Sequence, residues 1–161
     1  NGPFPTELFG KEAEKLREKG KEYGATTGRA RRVGWLDIPM LKTSSLLNGF
    51  NGIHLTKLDV LSGLEEIKIC VSYSDKSGKE LSHFPLDFQL QDFFPKYVSL
   101  RGFEALSEEE WRETAKKGKK GGLCALPKNA GSYVEKIISL LKVPVVSVSI
   151  GPEREETIWL K

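Results

Sequence analysis

The sequence predicts an α/β fold, and three features predict it. Residues 66–73 alternate Ile67, Ile69, Val71 and Tyr73 with Lys68, Cys70 and Ser72, the period of a strand with one face in a core. Residues 6–19, 36–48 and 132–142 carry apolar side chains at helical spacing. The last of these runs into Val143-Pro-Val-Val-Ser-Val-Ser-Ile150, a strand-like stretch closed by Gly151-Pro152, so helices and strands alternate along the chain.

Taken in order, Pro3 and Pro5 hold the opening extended, because proline also biases its predecessor away from the helical region. A helix is expected from Thr6 to Lys19, with Leu8, Phe9, Ala13 and Leu16 inward and Gly20 as its stop. A second follows the loop at 24–35 directly, placing Leu36, Met40, Leu41, Ser44, Leu47 and Asn48 at helical spacing until Asn48-Gly-Phe-Asn-Gly52 breaks it. Ile53 to Val60 reads as a strand, Asp75-Lys-Ser-Gly78 as a turn, and Glu80 to Phe84 as the return strand. Pro85 to Pro95 reads as irregular. Ser107-Glu-Glu-Glu110 fits a capping box for a short helix carrying Trp111. Lys116-Lys-Gly-Lys-Lys-Gly-Gly122 reads as a basic, solvated loop. Ser132 to Lys142 is a helix with Tyr133, Ile137, Leu140 and Leu141 inward, and Thr157 to Leu160 a final strand.

Composition narrows the function. The 161 residues include 39% hydrophobic and 29% charged side chains, as in a globular domain able to bury a core. A net charge of +3, from 25 basic and 22 acidic residues, does not imply a nucleic-acid partner. No apolar run is long enough to span a bilayer, so no membrane partner is expected. Cys70 and Cys124 form neither a disulfide framework nor a ligand cluster, and Cys70 reads as a small buried hydrophobe. His54 and His83, the only histidines, have no metal-ligand spacing around them, and no Ser/His/Asp or Cys/His set stands out. No metal site and no catalytic residue is therefore assigned. A cytoplasmic protein is expected.

The strongest local signal is Gly24-Ala-Thr-Thr-Gly-Arg-Ala-Arg-Arg-Val-Gly-Trp35. Small residues let backbone amides approach a ligand, and Thr26 and Thr27 add hydroxyl donors. Arg29, Arg31 and Arg32 supply planar forks matched to carboxylate or phosphate oxygens. Two further segments fit a purine. Asp59 of Lys57-Leu-Asp59 can accept from both in-plane N–H groups of guanine, an arrangement adenine lacks, and Lys57 can lay its stem on the ring face. Ser149-Ile-Gly-Pro152 ends a strand with a residue that allows close approach and one that fixes a turn. In isolation, Lys57-Leu-Asp59 is a common tripeptide at the expected end of a strand, and Ser149-Ile-Gly-Pro152 also fits an ordinary strand-terminating turn.

Together with Gly2-Pro-Phe-Pro-Thr-Glu-Leu8, the 24–35 loop and Leu55-Thr-Lys-Leu-Asp-Val60 closely resemble, in this order, the C-terminal part of adenylosuccinate synthetases. The resemblance implies the C-terminal portion of a larger mixed-sheet α/β enzyme related to P-loop GTP-binding folds, with residues 1–161 as a single segment of it. It implies GTP-dependent ligation of IMP to L-aspartate through a 6-phosphoryl-IMP intermediate, in a homodimer that uses Mg²⁺. Ala25, Thr26, Thr27, Gly28, Arg29, Ala30 and Arg31 match the loop that closes over L-aspartate, with Arg29 also near IMP and Arg31 near GTP. Lys57, Leu58 and Asp59, with Ser149, Ile150 and Gly151, match the residues around the GTP guanine. The family commonly has a basic residue where this chain has Ala30, so any role of that side chain is absent here.

The family's phosphate loop, of the Gly-Asp-Glu-Gly-Lys-Gly type, is missing from these residues, and with it the expected Mg²⁺ ligands and catalytic groups. The opening at Asn1 without Met reads as an internal start. The segment is accordingly expected to be inactive alone. Two alternatives stay open at this level: a basic module binding nucleic acid through Arg29–Arg32 and Lys116–Lys120, and a non-catalytic interaction module.

Overall fold

The computed structural model describes residues 2–82, 84 and 92–160. His83 and the stretch 85–91 of the segment read as irregular lie outside them. The chain forms two compact units, one from Asn1–Ser44 with Lys68–Ser99, the other from Ser45–Ile67 with Leu100–Lys161.

In the first unit, helix α1 spans Gly10–Gly20, four residues later than the pattern suggests. Thr6 to Leu8 are engaged elsewhere: Trp35 N–H donates to the buried Thr6 carbonyl at 3.1 Å, and Leu8 N–H to the Val33 carbonyl at 2.9 Å. Pairing with the far end of the loop overrides local helix propensity. Ala13 and Leu16 point inward as expected, but Phe9 is 74% exposed. The helix stops at Lys21, whose φ of 50° is left-handed, rather than at Gly20.

Strand β1 (Leu36–Asp37) intervenes before α2 (Ile38–Asn48), so the second helix does not start directly after the loop. Ile38, Pro39 and Ser45 are its buried positions, while Leu47, expected inward, is exposed. The short β1 matters because Leu36 and Asp37 pair in parallel with Ile69 and Cys70 of β3 (Glu66–Asp75). Ile67, Ile69 and Tyr73 are fully buried as predicted. Cys70 and Ser72 are buried too and Val71 only partly, because both faces of the strand are covered. The predicted turn is present, with Gly78 at φ 83° and its N–H on the Asp75 carbonyl at 3.0 Å. The return strand β4 (Glu80–Leu81) is shorter than expected. Strand β5 (Phe93–Arg101), which the sequence reading missed, also pairs with β3.

The second unit holds a sheet in the order β2–β6–β7, with β2 (Ile53–Leu55) parallel to β6 (Val145–Ser149) and β7 (Thr157–Trp159) antiparallel to it. Strand β2 is three residues long instead of eight, because Lys57 adopts a left-handed φ of 62° and opens a 3-10 turn at Leu58–Leu61. Helix α3 (Glu108–Gly121) starts at the predicted capping box, with the Ser107 side chain accepting from Glu110 N–H and the Glu110 carboxylate from Ser107 N–H. It does not end early. The basic stretch read as a loop is its second half, and Gly118 is buried where the helix lies against Ile158 of β7. Helix α4 (Lys128–Leu140) begins four residues before the predicted start and buries Ala130, Tyr133, Val134 and Ile137. Leu140, expected inward, is half-buried.

Candidate functional site

In the first unit, residues Ala25 to Arg31 form one exposed loop between a short antiparallel bridge, Tyr23 opposite Ala30, at its base. Gly24 N–H donates to the Arg29 carbonyl at 2.8 Å and Gly28 N–H to the Gly24 carbonyl at 2.9 Å. Gly28 has a φ of 64°, a region a side chain disfavours, and Thr27 Oγ1 accepts from Arg29 N–H at 3.3 Å. The tip is therefore closed on itself, with Thr26, Thr27 and Arg29 facing solvent.

The three arginines differ in state. Arg32 Nη1 donates to both Glu7 carboxylate oxygens, at 2.8 and 2.7 Å, which makes it a strut between the loop and the opening segment. Arg31 Nη1 donates to Glu22 Oε2 at 3.1 Å. No ion pair is assigned to Arg29 among the described residues, so its fork is the one available to an incoming anion. Below the loop, Trp35 and Asp37 are buried. Asp37 accepts from Tyr73 Oη at 2.6 Å and from Met40 N–H at 2.9 Å, anchoring the loop's exit to β3 and capping α2. Asp37 is not among the residues expected from the sequence, although an Asp placed just before a helix with proline in its first turn is a start signal.

In the second unit, β2 and β6 run parallel with Leu55 opposite Val148, so their C-terminal ends lie side by side. Lys57, Leu58 and Asp59 follow the end of one, and Ser149 is the last residue of the other, with Ile150 and Gly151 just beyond it. The site segments thus meet at the end of an open sheet where α/β proteins bind ligands. Asp59 is in the 3-10 turn rather than on the strand, a correction to the expected placement. Leu58 and Ile150 are buried, while Lys57 is exposed and Asp59 half-buried. Ser149 Oγ donates to the Gly151 carbonyl at 3.3 Å. His54 has the satisfied hydrogen bond expected of a strand histidine, its Nδ1 2.7 Å from Ser147 Oγ.

Among the described residues, no three His, Cys, Asp or Glu side chains cluster as a metal site would need. No helix of the described residues is long and apolar enough to cross a membrane.

The family model described as adenylosuccinate synthetase matches residues 1–158. The adenylosuccinate synthetase of Aquifex aeolicus is 47% identical over 161 residues, which cover 99% of this chain and 35% of the relative. The chloroplastic adenylosuccinate synthetase of Zea mays is 46% identical over 160 residues, 99% of this chain and 31% of the relative. A structure described as fully ligated adenylosuccinate synthetase from Plasmodium falciparum superposes with a TM-score of 0.85 at 40% identity, covering 100% of this chain and 37% of that one. The chain spans about a third of the length of the curated relatives it matches. With the family model matching nearly every residue and the mixed-sheet fold shared, the chain belongs to the adenylosuccinate synthetase family.

Proposed function

We propose that this chain acts as part of a GTP-dependent ligase that joins IMP and L-aspartate into adenylosuccinate, on the route to AMP. The γ-phosphoryl of GTP passes to the inosine O6, leaving GDP. The aspartate amine then attacks C6, and phosphate departs with the former O6. In this reading Ala25, Thr26, Thr27, Gly28, Arg29, Ala30 and Arg31 receive the aspartate, whose carboxylates suit exposed amides, hydroxyls and the open Arg29 fork. Arg29 also lies near IMP, and Arg31 near GTP. Asp59 takes the guanine N1–H and 2-amino groups, Lys57 covers the ring, and Ser149, Ile150 and Gly151 face its edge.

The observation that carries the reading is the parallel pairing of β2 with β6, which sets Lys57–Asp59 beside Ser149–Gly151 at one sheet end. Mg²⁺ belongs to this chemistry as an offset to phosphoryl charge, but the described residues do not form a site for it. Its ligands, and the groups that move the phosphoryl, are assigned to synthetase regions this chain does not match. The segment is accordingly inactive by itself and works within a homodimeric enzyme of the cytoplasm. A polyanion-binding role is disfavoured because Arg32 is held by both oxygens of the Glu7 carboxylate.

The test measures GTP against ATP binding to the purified protein and to Asp59→Asn, alongside adenylosuccinate formation from IMP, GTP and L-aspartate. A preference for GTP that Asp59→Asn removes supports the guanine site. Equal binding of both nucleotides by the unmodified protein would refute it. Turnover by the 161-residue chain alone would refute its inactivity.

A further inference from the structure

Residues 150–156 connect β6 to β7, and their interior is occupied by a carboxylate rather than an apolar side chain. Glu156 is buried, at 4% exposure. Its Oε2 accepts from Glu153 N–H at 2.9 Å, and Glu153 returns the bond by accepting from the Glu156 amide. The Glu156 carbonyl accepts from Ile150 N–H at 2.9 Å, which closes the loop at its base. On the far side, Arg112 of α3 sets its Nε 3.4 Å from Glu156 Oε1.

Gly151 explains why the carboxylate fits. A Cβ at that position would stand 2.1 Å from Glu156 Oε2, so any side chain there would evict the carboxylate. The Ser149–Gly151 turn is thus laid directly over Glu156, and its path follows from where that carboxylate is held. Burying a charge is costly unless it is paired and hydrogen-bonded, and Glu156 has both forms of compensation. An arrangement of this kind is stiff, and stiffness is what an edge-on contact to a planar ring requires.

We infer that Glu156 is a positioning residue for the guanine pocket, acting through Gly151 and itself held by Arg112. This rests on the reading of Ser149–Gly151 as part of that pocket. Glu156 does not touch the nucleotide. It fixes the turn that does.

The experiment is titration of the isotopically labelled protein with GTP and, separately, ATP, followed by NMR shift changes, which report weak binding. Glu156→Ala is expected to weaken GTP binding about tenfold, since it leaves Glu153 N–H without its acceptor and Arg112 held by Glu108 instead of by the loop. Glu156→Gln keeps one oxygen for Glu153 N–H and is expected to stay within about threefold of the unmodified protein. Arg112→Met, outside the pocket, tests the same device without altering the loop and is expected to weaken binding about threefold even if Glu156→Ala does not fold. Ser107→Ala lowers the stability of the same unit through the α3 cap and is expected to leave GTP affinity unchanged.

Normal GTP affinity in Glu156→Ala, or in Arg112→Met where the alanine variant does not fold, would overturn the positioning role and leave the guanine reading intact. Equal losses in the glutamine, alanine and Ser107→Ala variants would also overturn it, by showing a stability effect alone. An unmodified protein that does not distinguish GTP from ATP would instead remove the guanine reading, and this inference with it.

Discussion

Arg31 is paired with the segment that precedes its loop: Nη1 donates to Glu22 Oε2 at 3.1 Å, while its carbonyl accepts from Arg17 Nε at 2.9 Å. The two side chains are 57% and 22% exposed, so water screens the pair, and such pairs are worth up to about 1 kcal/mol. That is a weak restraint. A phosphate reaching Arg31 would have only this competitor to displace, while the carbonyl bond from Arg17 keeps the backbone in place. Glu22→Gln is therefore expected to raise GTP affinity, by no more than about fivefold, with calorimetric titration as the measurement. A loss of affinity would mean that Glu22 supports the binding conformation instead of competing with it.

Gly118 illustrates a glycine required by packing within a helix. A Cβ there would lie 2.5 Å from Ile158 Cγ1 and 2.6 Å from Cδ1, and Ile158 is fully buried. Replacing glycine by alanine in a helix ordinarily gains about 1 kcal/mol, but overpacking a core costs about 1–3 kcal/mol. The second effect is larger, so Gly118→Ala should destabilise by about 1 kcal/mol in urea unfolding. Ile158→Val removes Cδ1, so the double variant should lose less than the sum of the two single losses. Strict additivity would show that the two positions do not press on each other.

What the sequence revealed, and what it concealed, divides along local against tertiary causes. The α3 capping box, the β3 alternation and the Asp75–Gly78 turn were legible because each is set by neighbours a few residues apart. The length of α1 was not, because Thr6–Leu8 are engaged by Val33–Trp35, far away in the sequence. Glycines in Lys116–Gly122 suggested a loop for the same reason that Gly118 serves a helix: the absent side chain makes room, and only the position of Ile158 reveals for what. Of the candidate site, the chemistry of Ala25–Arg31 and Asp59 could be named from residue types. The pairing of Arg31 with Glu22, and the carboxylate beneath Gly151, depend on folding and had no short-range signature beyond the Glu153/Glu156 spacing.

The two cysteines should differ in reactivity. Cys124 is exposed. Cys70 is fully buried on β3, and burial first, then the nearby Asp37 charge, pushes its thiol up to about 12. Only the thiolate reacts at an appreciable rate. One thiol per chain is expected to react promptly with Ellman's reagent at neutral pH, and the second only in denaturant. Two fast thiols in the native protein would contradict the packing described for β3.

Asp37 predicts a pH dependence of stability. Burial holds its carboxyl above the usual range, outweighing the hydrogen bonds from Tyr73 Oη and Met40 N–H that favour ionisation. The titratable groups around it are Tyr73, Cys70 and Tyr97, each itself shifted upward. Because the native carboxyl keeps its proton to higher pH than the unfolded chain does, its contribution to stability is fully present below the ordinary value of 3.8. That contribution is lost as pH rises through the folded-state value. Asp37→Asn cannot ionise, and the Tyr73 hydroxyl can turn to accept from the new amide. Relative to the unmodified protein, Asp37→Asn should therefore gain stability as pH rises from about 4 to 7, with the gain levelling off above the native pKa. Tyr73→Phe should do the opposite at neutral pH, costing about 1–3 kcal/mol by leaving a buried carboxylate one donor short. Parallel stability curves for Asp37→Asn and the unmodified protein across this range would show that Asp37 titrates alike in both states, and that the Tyr73 and Met40 bonds fully offset its burial.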